Sequence, residues 1–275
     1  MNDAQKISKL DQETMNKYGI EIDTEKNEAY FTFIFGGQFG CFSQSSGLDK
    51  TTYPVITPSA VSGVCGAVYQ KIIDRVPMII YEPQRIEILN PIQYHTIKLN
   101  GIKDVVVLTK NNKVTKDNIN VEESRTQCTY NILRDLSYRI KVKMRLNIHN
   151  TDVEECNNTI QKHIAMFSRR LIKGTSALKP CLGLSRFPVE FIGFSSQIES
   201  EKDKQSIDFY DDRRMFYGYV YANQFATYGL DEKVLKEFET DRIPVYFDAK
   251  ITNGVLDLPN AKELYQNYLG ATSCQ

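Results

Sequence analysis

SYRIKVKMRLN, residues 137–147, alternates with a period of two: Tyr138, Ile140, Val142, Met144 and Leu146 are apolar, while Arg139, Lys141, Lys143, Arg145 and Asn147 are polar. Successive side chains of a strand point to opposite faces, so this run predicts a strand with one face on a core. Its other face carries four cations and no anion. Solvated faces usually mix signs, and a one-sign stripe suits a polyanion such as RNA. The pattern fits an exposed face kept soluble by charge equally well, and the residues alone leave both readings open.

The neighbouring segments supply the rest of a sheet and its cover. Downstream, TDVEECNNTIQKHIAMFSRRLIKG, residues 151–174, places Cys156, Ile160, Ile164, Phe167 and Leu171 three or four residues apart, which predicts an amphipathic helix. Thr151 and Glu154 have capping-box spacing at its start, and Gly174 suits the left-handed turn at its end. His163 lies beside the apolar stripe with its ring half-desolvated, and Lys162 is turned about 100° away. Arg169, Arg170 and Lys173 load the last turns with positive charge, which complements the helix dipole and would also suit a polyanion.

Upstream, AYFTFIF at 29–35 is apolar on both alternating faces and predicts a strand covered on each side. Glycines 36, 37 and 40 allow a turn or a close approach. Thr57 and Pro58 then open a second helix, with Val61, Val64, Cys65, Val68 and Ile72 on its buried side and Tyr69 near its end. Residues 78–89 read as a strand interrupted at Pro83, residues 91–108 as further strand, residues 110–124 as a polar loop, and residues 179–194 as a glycine-bearing turn entering a strand. The order strand, helix, strand, strand, helix, strand predicts an α+β, ferredoxin-like plan of the kind used by RNA-recognition modules. Residues 215–224, 244–251 and 254–258 predict a small C-terminal antiparallel β-sheet, and 259–268 a closing helix. The expected organisation is a polar extension (1–28), a ferredoxin-like domain (29–198) and a small C-terminal sheet region (199–275).

Composition narrows the function classes. With 275 residues, 41% hydrophobic and 25% charged, the chain has an ordinary globular make-up, and no run reaches the ~18 apolar residues of a membrane span. A cytoplasmic protein is expected. The six cysteines lack a C-x-x-C pair and read as reduced, mostly buried thiols. The net charge is zero, yet residues 125–186 hold twelve Lys or Arg against four acids, a local excess of eight. That asymmetry predicts a localised phosphate-binding surface. The three histidines are well separated and no H-E-x-x-H spacing occurs, so neither a metal nor a cofactor is expected. The adjacent acids Glu122-Glu123 and Asp211-Asp212 read as solvated carboxylates.

Five ordered blocks, TYPVITPSAVSGVCGAVYQK, RIEILNPIQYHTI, ILRDLSYRIKVKM, QKHIAMFSRRLIKG and CLGLSRFPVEF, span about residues 30–195. Together they resemble the subtype I-C (Dvulg) branch of the fifth family of CRISPR-associated proteins, of the RAMP type. The resemblance implies a protein that cuts CRISPR repeat RNA without metal and stays on the 5′ handle. Its expected partners are that RNA and the backbone and large subunits of a type I interference complex. It also implies Tyr69, Lys162 and His163 as the catalytic residues. Arg186 falls in the place of the arginine of the family's R-E-F block, with Gly183 in the turn before it, both toward RNA. Gln70 stands where the family commonly has tryptophan, and Ser62 falls in the S-A-A-R-G block, which commonly carries an arginine.

Such a ribonuclease must deprotonate the 2′-hydroxyl, stabilise the phosphorane and protonate the departing 5′-oxygen, leaving a 2′,3′-cyclic phosphate. His163 suits the proton transfer, Lys162 the developing charge, and Tyr69 an orienting donor or acid. The alternative is a non-catalytic subunit that binds RNA and caps the 5′ handle.

Overall fold

A computed structural model describes residues 12–44, 47–73, 76–102, 122–147, 159–196, 205, 207–210, 214–221 and 242–272. In chain order the first elements are α1 (Gln12–Tyr18), β1 (Glu21–Asp23), β2 (Glu28–Gly40), β3 (Lys50–Thr51), α2 (Pro58–Val68), β4 (Ile72–Ile73) and β5 (Val76–Pro77). Next come β6 (Ile79–Ile88), β7 (Gln93–Ile102), β8 (Arg125–Leu146), α3 (Ile160–Ile172) and β9 (Phe191–Phe194). The chain continues with β10 (Phe209–Tyr210), β11 (Met215–Tyr221), β12 (Arg242–Phe247), β13 (Lys250–Thr252), β14 (Val255–Asp257) and α4 (Ala261–Thr272).

The fold is α+β, built on a mainly antiparallel ten-stranded sheet with β8 as its spine. Residues 137–146 form the C-terminal half of this strand, which pairs on one side with β2 (Glu28↔Arg145 to Gly40↔Leu133) and on the other with β6 (Ile79↔Leu146 to Ile88↔Tyr138). The N-terminal half pairs with β7, and β3 adds to it in parallel. Asp135 divides the halves: its φ of 55° is a left-handed conformation that bends the strand. The bend is held because Asn90 Nδ2 donates to the Asp135 carbonyl at 2.7 Å. β9 pairs with the far edge of β2, so the central order is β9–β2–β8–β6.

α2 and α3 cover one face. Even-numbered β8 residues from Tyr138 to Leu146 are buried there with Ala29, Phe31, Phe33 and Phe35 of β2. Phe167 of α3 fills the space above them, with ring centroids 4.8 Å from Phe31 and 5.8 Å from Tyr81. Burial of a side chain this size contributes about 2 kcal/mol, and its removal costs about 3–5 kcal/mol because the cavity closes only partly. The expected double cover of β2 is found only in part, since Tyr30 and Thr32 on the other face are half-buried.

Three expectations are revised. α3 begins at Ile160, with Thr159 as an N-cap that makes no side-chain capping bond. The capping box at Thr151 and Glu154, and Cys156, lie outside the described residues; Gly174 ends the helix with φ of 64°, as expected. Part of the segment read as an extension is built into the main body, because β1 pairs with β2, Ile20 is buried and Tyr18 stacks on Phe194 at 5.0 Å. The C-terminal strands divide between two sheets: β11 and β12 form a separate pair, whereas β14 joins β6 and carries β13 and β10 into the main sheet.

Candidate active site

α2 exists because Thr57 and Pro58 start it and Val61, Val64, Cys65 and Val68 bury one side. Thr57 Oγ1 accepts from the Ala60 N–H at 3.3 Å, and Pro58 sits where no N–H is needed. The helix stops at Tyr69, which is extended (φ −151°, ψ 121°) and throws its ring across to α3. The helix end is tied down from several directions. Arg170 Nη1 donates to the Val68 carbonyl at 2.8 Å, the Ala177 N–H donates to the same oxygen at 3.3 Å, and Tyr81 Oη donates to the Tyr69 carbonyl.

Tyr69 Oη lies 3.0 Å from His163 Nδ1, a hydrogen bond between residues 94 apart in the chain. Of the three residues implied as catalytic, the structure brings these two together. His163 belongs to the first turn of α3 and is fully buried at 0% exposure, not half-desolvated as its place beside the stripe suggested. The Tyr69 ring, which periodicity within α3 cannot reveal, takes part in that burial. His163 Nε2 is also buried and has no hydrogen-bond partner among the described residues. Lys162 is exposed on the adjacent face and acts on the ring through charge.

Burial depresses the His163 pKa to about 4, and the positive charges of Lys71 and Lys162 add to the effect. The imidazole is therefore neutral at pH 7. Burial raises the Tyr69 phenol, with Arg170 and Arg169 pulling in the opposite direction. Arg170 also stacks over the Tyr69 ring at 5.1 Å. The pair can hold one proton between oxygen and nitrogen without carrying net charge. Lys71 was not singled out from sequence; its place two residues after Tyr69 was the available signal.

The cationic face of β8 lies on the other side of the sheet from this pair, and it is not unopposed. Arg139 bonds Glu87 at 3.0 Å, Arg145 bonds Glu82 at 2.6 Å, and Lys143 lies 2.6 Å from Glu82 and 3.5 Å from Glu28. The flanking strands supply the anions, which the period of β8 alone could not show. Glu82 and Glu87 of β6, brought to one face by the irregularity between Pro83 and Arg85, carried that signal. Lys141 differs: it is exposed, lies 6.0 Å from the Tyr30 ring centroid and has no carboxylate partner among the described residues.

Arg169 is half-buried and donates to Met166 Sδ, while Lys173 is exposed at the end of α3. Gly183 and Arg186 are not gathered at the Tyr69–His163 pair. Arg186 lies over the Tyr130 ring at 5.0 Å, beyond the Asp135 bend. Gly183 has φ of 84° and a bridge to Cys41, and an added Cβ would fall 1.9 Å from the Cys41 carbonyl oxygen, so its backbone role is fixed. Among the described residues, no group of three His, Cys, Asp or Glu side chains is placed to hold a metal, and no helix is long and apolar enough to cross a membrane. His149 and the acids Asp211-Asp212 lie outside the described residues.

The chain matches the Cas5d family model, described as CRISPR-associated protein (Cas_Cas5), over residues 34–259. It is 27% identical over 238 residues to the CRISPR pre-crRNA endoribonuclease Cas5d of Mannheimia succiniciproducens, covering 81% of this chain and 92% of that relative. The protein of the same name from Thermus thermophilus is 28% identical over 238 residues, covering 84% and 92%. Two solved structures share the fold. One, titled as a CRISPR-associated protein, has a TM-score of 0.55 at 18% identity, and SMU1763c from Streptococcus mutans has 0.56 at 16%; each alignment covers 86% of this chain and 94% of the other.

Proposed function

Because the chain belongs to the Cas5 family of CRISPR-associated proteins, we propose that it is an endoribonuclease that cleaves precursor CRISPR repeat RNA without metal and remains on the 5′ handle. The observation that carries the reading is the 3.0 Å contact between Tyr69 Oη and His163 Nδ1. Two relatives named CRISPR pre-crRNA endoribonuclease Cas5d support the activity. The strand order β9–β2–β8–β6, with α2 and α3 on one face, supports reading the core as a ferredoxin-like, RNA-recognition type of domain. In this reading the protein works in the cytoplasm, within a type I interference complex, alongside backbone and large subunits.

The chemistry follows from the pair. With Nδ1–H donating to Tyr69 Oη, His163 Nε2 holds the lone pair that takes the 2′-hydroxyl proton. The 2′-oxygen then forms a bond to phosphorus and the P–O5′ bond breaks; the departing 5′-oxygen takes a proton back from the His163 imidazolium or from water, leaving a cyclic 2′,3′-phosphate and a 5′-hydroxyl. A bound phosphodiester offsets the repulsion from Lys71 and Lys162 and so raises the basicity of the ring. Lys162, exposed beside His163, is assigned to the developing negative charge. Tyr69 stays protonated at pH 7 and orients the imidazole. Arg169, Arg170, Lys173, Gly183 and Arg186 extend the proposed RNA path.

The test is cleavage in chelator of the repeat hairpin and of a copy lacking one 2′-hydroxyl at the cut. Cleavage of the unmodified RNA alone, abolished by His163→Ala with RNA binding retained, is expected. Full burial of His163 favours a second reading, a non-cutting subunit that caps the 5′ handle. Binding without cleavage of either RNA would select it.

A further inference from the structure

The face of β8 that carries the cations is divided into two chemically different halves. Toward Leu146, Glu82 is buried at 5% exposure and holds both Lys143 and Arg145, so these charges are answered within the fold. Toward Tyr138 there is instead a cleft of about 280 Å³ lined by Thr32, Arg85, Glu87, Arg139 and Lys141. The register explains the convergence: Arg85 stands opposite Lys141, Glu87 opposite Arg139, and Thr32 faces Lys141 from β2. The β6 bulge between Pro83 and Arg85 shifts the strand by one residue and puts Arg85 on this face.

Three cations therefore surround one carboxylate. Glu87 is shared between Arg139 at 3.0 Å and Arg85 at 3.4 Å, and a second contact from Arg85 reaches Asp257 at 3.8 Å, whose side chain is 77% exposed. Lys141 stands over the cleft 6.0 Å from the Tyr30 ring centroid, with no carboxylate partner among the described residues. Two positive charges remain in excess over the single acid of the lining. Two guanidinium groups and an ammonium around a space of this size supply forked and point-like donors for the oxygens of a phosphodiester.

We propose that this cleft seats one backbone phosphate of the bound RNA, with Lys141 and Arg85 as its principal donors and Arg139 and Thr32 as its walls. The site lies across the sheet from Tyr69 and His163, so it anchors the RNA without touching the reacting atoms. The identity of the ligand rests on the proposed function, which supplies the RNA. Arg85 is a binding residue that the alternation of β8 could not point to.

The experiment measures affinity of the full chain for its repeat RNA across a salt series, with cleavage followed in parallel. Lys141→Met and Arg85→Met are each expected to weaken binding several-fold at low salt and to lower the slope of log K against log salt by about 0.7, the value for one phosphate contact on a single strand. Lys262→Met, an exposed lysine on α4, controls for simple loss of charge. Lys141 is exposed, so its variant folds, and an unchanged urea midpoint verifies this for Arg85→Met. Unchanged affinity and slope in both variants, with wild-type cleavage intact, overturns the phosphate seat and leaves the proposed activity standing. A reduced slope in both variants, in a protein whose wild type binds but never cuts, supports the seat and overturns the activity.

Discussion

His163 should be unusually hard to protonate, and the consequence for stability can be worked out. The ring has a folded pKa of about 4 against 6.5 in the unfolded chain, because burial and the charges of Lys71 and Lys162 oppose the imidazolium. Between those values the unfolded chain binds the extra proton, so the contribution of the neutral ring is complete above pH 6.5 and is lost as pH falls toward 4. Each pH unit between the two values is worth about 1.36 kcal/mol, so lowering the pH from 7 to 4.5 should remove roughly 2–3 kcal/mol through this one group. Urea unfolding of wild type and His163→Gln at both pH values isolates the effect, since every other titrating group is common to the two. Wild type should lose that much more stability than the variant. The chain has only three histidines, so ring signals in NMR can be assigned by the same substitution, and the signal that disappears should titrate near pH 4. A midpoint near 6.5, or parallel losses of stability in the two proteins, would refute the burial argument.

The remaining predictions concern other links in the same structure. The pH profile of kcat/KM for repeat-RNA cleavage should rise with unit slope and flatten just above pH 4, the free-enzyme value for His163; a bend at 6.5 would count against this base. Tyr69→Phe removes the group that orients the ring and should slow single-turnover cleavage by about 10²- to 10⁴-fold, whereas an unchanged rate would remove Tyr69 from the mechanism. Gly183→Ala forces a methyl group onto the Cys41 carbonyl at a left-handed backbone position, and a loss of at least ~1–3 kcal/mol is expected in urea unfolding. Glu82→Gln leaves Lys143 and Arg145 poorly answered and should cost about 3 kcal/mol, while tightening RNA binding at low salt; equal stability would show that the cluster is solvent-like.

Those features were legible in the sequence to different degrees, for reasons that can be named. The strand at 137–147 was readable because its period of two is uninterrupted, and α2 because Thr57 and Pro58 are strong start signals. Gly174 gave the end of α3 for the same kind of local reason. Pairing is non-local, and there the reading fell short. Glu82 and Glu87 sit more than fifty residues before the β8 cations they bind, so the face looked purely basic until β6 was laid beside it. Similarly, the segment at 255–257 has the pattern of any short strand, and only the exposed edge of β6 decides that it joins the main sheet. For the site, the resemblance pointed to Tyr69 and His163, and the structure puts them in hydrogen-bond contact. Nothing in helix periodicity could report that the phenol would complete the burial of the imidazole, or that Lys71 would share the field on it.

The position of β8 in the chain has a consequence for how the protein is made. Its partners β2, β6 and β7 are all translated before it, and none of them can complete the sheet until Leu146 has left the ribosome. At ~5–20 residues per second, the hundred or so residues separating β2 from its partner take about 5–20 s to appear. During that interval the edge of the apolar run 29–35 that faces β8 has no partner strand. The nascent chain should therefore be a client of ribosome-associated chaperones until the spine arrives, and point changes in β8 should lower the yield of folded protein more than changes of equal size in α4.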